Sequence, residues 1–235
     1  MTPQEMEATI AELQNQVSEL RKKYTYLDDI NQVKRLQRAY SYYVMRMMKQ
    51  EVIDCFAEHP ETALYWLEGA YLGKDAVKRY FETNDPGTGQ PADFFHQVMP
   101  IAGVVDVEGD RAWGRWYTFG SHSLPAGDGT FRKSWVAGVY EIEYIKQDGV
   151  WKFLVIRWYI PYTVTIPDEL WRWPDVIRDG MANPRRPFPV ADVPFDYDDP
   201  RFMSGYILPF HYKHPVTGKE ASYRENNERI IREHK

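Results

Sequence analysis

Met6, Ile10, Leu13, Val17, Leu20, Tyr24 and Leu27 recur at alternating spacings of four and three. This heptad row puts Ile10, Val17 and Tyr24 at one core position and Leu13, Leu20 and Leu27 at the other. It predicts an amphipathic helix over residues 1–27, read as an oligomerisation helix, with packing back on its own domain as the alternative. Asp28-Asp29 then offers an N-cap for a second helix over about 30–57. Ile30, Val33, Leu36/Gln37, Tyr40, Tyr43/Val44, Met47 and Glu51 follow one face of it, and His59-Pro60 ends it. ALYWLEGAYLG reads as a short strand and loop, and KDAVKRYFETN as a helix with Ala76, Val77, Tyr80 and Phe81 inward.

From His96 to Tyr159 the period changes to two. Consecutive β-rich runs are punctuated by Glu108-Gly109-Asp110 and Gln147-Asp148-Gly149, both hairpin signals. Helices followed by a run of antiparallel strands predict an α+β fold with helices gathered on one face of the sheet. After Ile166 prolines and aromatics replace periodic patterns, which predicts an ordered arm over 167–235 that wraps the domain or lids a pocket. ASYRENNERIIREHK is read as its closing helix.

Alternation selects the candidate chemistry. His96 shares a face with Phe94 and Val98. Its imidazole, near ~6.5 in pKa when unperturbed, can take and give a proton at cellular pH. Tyr40 lies on the inward face of the second helix with Tyr43 and Met47 one turn on. Trp116 shares parity with Ala112 and Gly114, whose small side chains leave room beside it. Tyr140 points opposite Glu141 and Glu143. Arg157 goes with Trp151, Phe153, Val155 and Tyr159, and a guanidinium on an inward face would mark an anion or phenolate site. The expected catalytic residues are therefore His96, Tyr40, Arg157 and Tyr140, with Tyr43, Met47, Trp116 and Tyr159 binding substrate. Arg115, Tyr117, Glu141 and Trp158 take the outer face.

Composition narrows the function. Aromatic residues make up 15% of the 235, as suits a pocket that grips flat ligands. A net charge of −5 gives no basic footprint for nucleic acid. Cys55 is the single cysteine, so no disulfide framework is possible within the chain. His211 and His214 form a His-x-x-His pair without an evident third ligand, so no metal is expected. Nor is a cofactor, since there is no GxGxxG, P-loop or GxSxG. The opening MTPQEMEATIAEL lacks the features of a secretion signal. No apolar run approaches the ~20 residues of a membrane span, so a cytoplasmic location and no membrane partner are expected.

Several segments in sequence order resemble the SnoaL-like branch of the nuclear transport factor 2-like superfamily. They are Tyr40 followed sixteen positions on by Phe56, Gly69 to Gly73 before KDAVKRYF, Phe95-His96, VEGDRAWGRWY, GVYE and DGVWKF. They cover about residues 28–165, and a domain over 28–166 follows. The resemblance implies a cone-shaped α+β barrel, a bent sheet with helices packed on its concave face around an apolar cavity. It also implies cofactor-free acid–base chemistry. In the bile-acid dehydratase-like members a helix Tyr, an Asp five residues later and a strand His carry it. Tyr40 and His96 match two of these, but Met45 stands at the Asp position and Met48 at the next acidic one.

The extended, aromatic-rich form is similar to lyases of lignin-derived diarylpropane diols, which lose water and formaldehyde through a quinone methide to leave a stilbene. That is the expected activity, on a small aromatic substrate by a homo-oligomer, dimer or trimer. The alternatives are a dehydratase or isomerase of a steroid-like or polyketide substrate, or a non-catalytic assembly module like the small subunits of ring-hydroxylating oxygenases.

Overall fold

The computed structural model describes residues 2–66, 69–83, 94–126, 128–167, 206–210 and 213–233. The loop expected at Asp85, most of the proline-rich arm and His211 lie outside the described residues.

One helix, α1 (Pro3–Met45), takes the place of the two expected at the N-terminus. Asp28-Asp29 is no cap. Asp29 sits mid-helix and accepts from Lys146 Nζ at 2.7 Å and from Trp151 Nε1 at 2.8 Å. The helix starts on a reciprocal capping box between Thr2 and Glu5. It stops where Met47 turns into the left-handed region, at φ 51°. A short α2 (Lys49–Asp54) follows.

Next come β1 (Ala63–Trp66), β2 (Gly69–Leu72) and α3 (Lys74–Thr83). ALYWLEGAYLG therefore supplies two antiparallel strands where one was expected. Four long strands complete the sheet: β3 (Phe95–Glu108), β4 (Arg111–Pro125), β5 (Phe131–Gln147) and β6 (Val150–Thr165). The order is β2-β1-β6-β5-β4-β3, antiparallel except where β1 runs parallel to β6. Both expected hairpins form. Asp148 and Gly149 each take positive φ, as a two-residue turn of the primed kind requires. The closing helix, α4, spans Arg224–Glu233.

The fold is α+β, a six-stranded curved sheet wrapped over helices. Three register shifts bend it: one in β3 between Ile101 and Val104, and two along the β5–β6 pair. In the first, Ala102 takes φ 52° and Gly103 lies under the Trp116 ring, where a Cβ would come within 2.1 Å of Cζ3. Trp116, itself 3% exposed, can fold inward only because residue 103 has no side chain.

The concave face packs on the second half of α1 through Val33, Leu36, Tyr40, Tyr43 and Val44. Trp116 donates from Nε1 to the Tyr144 hydroxyl at 3.2 Å, and that hydroxyl donates to Gln37 Oε1 at 3.1 Å. A polar chain thus crosses the core from sheet to helix. The convex face leaves Trp113, Tyr117, Phe119, Trp135 and Tyr159 exposed.

The Asp29 contacts join α1 to the β5–β6 hairpin at a nearly dry site, with side-chain exposures of 8% for Asp29 and 20% for Lys146. Asp29→Ala strands an ammonium and an indole N–H there. Chemical denaturation is expected to show a loss of roughly 2–3 kcal/mol, whereas the exposed Lys22→Ala should change stability negligibly.

Candidate functional site

Strict alternation along β4 buries Ala112, Gly114, Trp116, Thr118, Gly120 and His122. The antiparallel register sets His122 directly opposite His96 on β3. Their imidazoles stack with centroids 4.7 Å apart and planes 12° from parallel. Among the described residues neither His96 Nδ1 nor His122 Nε2 has a hydrogen-bond partner, although both are shielded from water. The neighbouring Ser123 hydroxyl is likewise buried and unpartnered.

Burial dominates the protonation of this pair. It lowers His96 to about 3, helped by the charge of His122, while the Val44 backbone carbonyl opposes the shift. His122 falls to about 4, through burial and then the Arg132 cation. Both rings are neutral at pH 7, each with one lone pair and one N–H to offer.

His96 forms part of the wall of a cavity of about 370 Å³, within the range of small-molecule sites. The rest of the wall comes from Tyr42, Met45 and Arg46 at the end of α1, Phe95 and Gln97 on β3, and Ile207–Phe210 of the C-terminal segment. Arg46 brings a cation to a mostly apolar space, and burial lowers its pKa.

The segment 207–210 is held from behind. Asn227 of α4 pairs with both backbone groups of Ile207, at 2.9 and 2.7 Å. Phe210 packs edge-on to Tyr43 at 5.6 Å. His214 accepts the N–H groups of Val216 and Thr217 at Nδ1, so its Nε2 carries the hydrogen donated to the Glu51 carbonyl at 2.7 Å. The Glu51 carboxylate accepts from Ser222 N–H and Oγ at 2.7 and 2.6 Å. Glu51 is thus an anchor for the arm.

The expected site residues do not all converge. Tyr40 is wholly buried against Phe56 and Phe153, its hydroxyl has no partner among the described residues, and it does not reach the cavity wall. Burial drives its pKa well up. Tyr140 points inward as expected and stacks on Trp158 at 5.4 Å. Its pKa is also raised by burial. Trp116 is inward and fills core space rather than lining the cavity. Tyr43 backs the cavity wall through Phe210.

Four placements are corrected. Arg157 and Tyr159 face outward, and Trp158 faces inward. The shift opposite Glu143 and Tyr144 leaves Leu154 as an extra residue in β6, which inverts the parity beyond it. Arg157 instead pairs with Glu143 at 2.7 Å and lies over Tyr65 at 4.9 Å, and Tyr159 is 56% exposed. Met47 lies past the end of α1, so it does not share the face of Tyr40.

His122 and Arg46 are the residues that sequence reasoning missed. The period-two run from Ala112 would have reached His122 had it been followed past Gly120. Nothing in the sequence shows that Arg46 closes a helix beside His96.

Depressed histidines make a stability prediction. The unfolded chain takes up protons near pH 6.5, while the folded pair resists until about 4 and 3. Between those limits the unfolded state binds more protons, so stability is complete above pH 6.5 and falls on acidification. Histidine NMR should show two rings that do not titrate above pH 5. The double substitution His96→Gln/His122→Gln should flatten the acid limb of stability against pH; a limb as steep as that of the parent protein contradicts the assignment.

No curated protein matches the sequence. Among solved structures the chain is similar to a scytalone dehydratase-like protein of Novosphingobium aromaticivorans DSM 12444. The identity is 22% and the TM-score 0.50, over 62% of this chain and 92% of that one. It is also similar to a type 2 hexachlorocyclohexane dehydrochlorinase (LinA), with 16% identity and a TM-score of 0.53 over 63% and 95%. At these identities the likeness is one of fold. The sequence itself matches the SnoaL-like domain over residues 25–157, more than half its length, and the chain belongs to that family.

Proposed function

We propose that this protein is a lyase that eliminates small fragments from a hydrophobic aromatic molecule by acid–base chemistry centred on His96. The observation that carries this reading is a neutral, shielded imidazole on the wall of an apolar cavity, with a second imidazole stacked behind it. The fold likeness to a scytalone dehydratase-like protein and a dehydrochlorinase supports the elimination class.

The specific substrate proposed is a diarylpropane diol with a para-phenol. His96 takes the phenolic proton, and the ring electrons expel the benzylic hydroxyl, which leaves as water on receiving that proton. A quinone methide remains. The neutral imidazole then removes the proton of the terminal hydroxyl, whose O–H electrons become the second bond of formaldehyde. The C–C bond breaks, and its pair becomes the central C=C of the stilbene. The exocyclic pair of the quinone methide returns through the ring to the oxygen, and the resulting phenolate is reprotonated by the imidazolium. The sum is diol to stilbene, water and formaldehyde, with no change in redox state.

Arg46 takes the phenolate-stabilising role first given to Arg157, because among the described residues it is the arginine on the cavity wall. A lone imidazolium is disfavoured in this site, but one facing a phenolate is not. His122 acts through His96 as a positioning residue.

Incubation with a panel of diaryl diols should give stilbene absorbance and formaldehyde in equal amounts. His96→Ala should lower kcat about 10²- to 10⁴-fold, and Arg157→Ala should leave it within a few-fold. His122→Ala should move the acid limb of the rate profile to higher pH, since the charge that helps depress His96 is gone. Water loss without formaldehyde would make the enzyme a plain dehydratase. An unchanged rate in His96→Ala would remove the site.

A further inference from the structure

Residues 2–27 stand clear of everything else described, and each of them is exposed. At about 1.5 Å per residue they form a rod of roughly 40 Å. Its heptad row is open to solvent throughout, from 46% exposure at Val17 to 71% at Tyr24. A solitary helix of this kind is marginal in water unless its apolar row is covered. The chain's own domain is badly placed to cover it. Beyond Leu27 the same helix meets the sheet through Asp29, Val33, Leu36, Tyr40 and Tyr43. At about 100° per residue that second row points away from the first on the opposite side of the helix. Among the described residues the domain therefore neither buries the heptad row nor blocks approach to it.

We infer that the row is the seam of a parallel two-stranded coiled coil with a second copy of this chain. β-Branched Ile10 and Val17 alternate with Leu13, Leu20 and Leu27, the combination that favours two parallel strands. In that register Lys23 of one copy faces Asp28 of the other, and the remaining flanking pairs, Thr9 with Gln14 and Gln16 with Arg21, bring no like charges together. An antiparallel pair would set Leu27 against Pro3, the first residue of the other helix, and leave it half covered. The seam ends where Asn31 and Lys34 occupy the next core positions. There the helix changes partner from a second copy to its own sheet. The two domains then lie on outer sides of the same end of the coil.

Light scattering of the full chain should give twice its mass of 27.8 kDa. Leu13→Glu/Leu20→Glu should halve that mass and leave the circular dichroism of the sheet unaltered, because neither residue touches the domain. Leu20→Cys should cross-link on mild oxidation, with Cys55 silent because it is fully buried. A monomeric parent protein overturns the proposal, and so does a trimer. A dimer that survives the double substitution also overturns it, placing association elsewhere, such as the convex sheet face around Tyr117, Phe119 and Tyr159. A dimer that loses its association in the double substitution but fails to cross-link at residue 20 overturns the parallel arrangement.

Discussion

Strands as long as the 17 residues of β5 and the 16 of β6 cannot wrap a helix while keeping regular register. A sheet curves sharply only where one strand gains a residue, and each such point also reverses which side chains face inward. Curvature and chemistry are therefore coupled in this protein. The shift at Ala102-Gly103 bends β3 and opens the gap that Trp116 enters. The shift at Leu154 bends β6 and turns Trp158 inward, where its indole reaches the Thr118 hydroxyl at 3.0 Å. The same shift carries Arg157 outward. A cation that would have needed a buried partner becomes half of a partly exposed ion pair with Glu143.

Packing inside the cone settles where open space can remain. Tyr40, Phe56, Tyr144 and Phe153 occupy the depth between α1 and the sheet, in contact with one another. The cavity lies instead at the end of α1, beside the start of the edge strand. Met45, the position at which the resemblance implies an Asp, is part of its wall. With no carboxylate there, nothing on the helix draws a proton onto His96. Burial and the second imidazole keep it neutral.

The element types were largely legible in the sequence. Heptads, the two Gly-containing hairpins and the run of alternating strands mark features that two-residue and 3.6-residue periods encode directly. The missing break at Asp28-Asp29 was not legible. Both residues are good caps locally, and what overrides them is a tertiary contact, since Lys146 and Trp151 arrive from more than a hundred positions away to hold Asp29. Parity was read correctly at Trp116 and Tyr140, before the bulge in β6, and incorrectly at Arg157 and Tyr159, after it. Leu154 has no Gly or Pro to announce the extra residue. The candidate site was half legible. His96 was visible, but its stacking partner sits where β4 runs on through Ser121-His122-Ser123, a stretch whose composition suggests a loop.

The family match ends at residue 157, whereas the cavity that His96 lines is also walled by Ile207–Phe210. That segment is fixed by contacts that a relative lacking it cannot make: Asn227 on Ile207, Tyr43 on Phe210, and Glu51 on Ser222 and His214. Two of those anchors, Tyr43 and Glu51, lie on α1 and α2 inside the shared domain. They look inward by sequence periodicity, yet what they hold is the arm. The division of labour follows from this geometry. The shared fold supplies the imidazoles and fills its own depth with aromatic side chains. Among the described residues of the arm, Ile207–Phe210 form part of the wall of the remaining space, so exchanging them alters the cavity without touching the histidine pair.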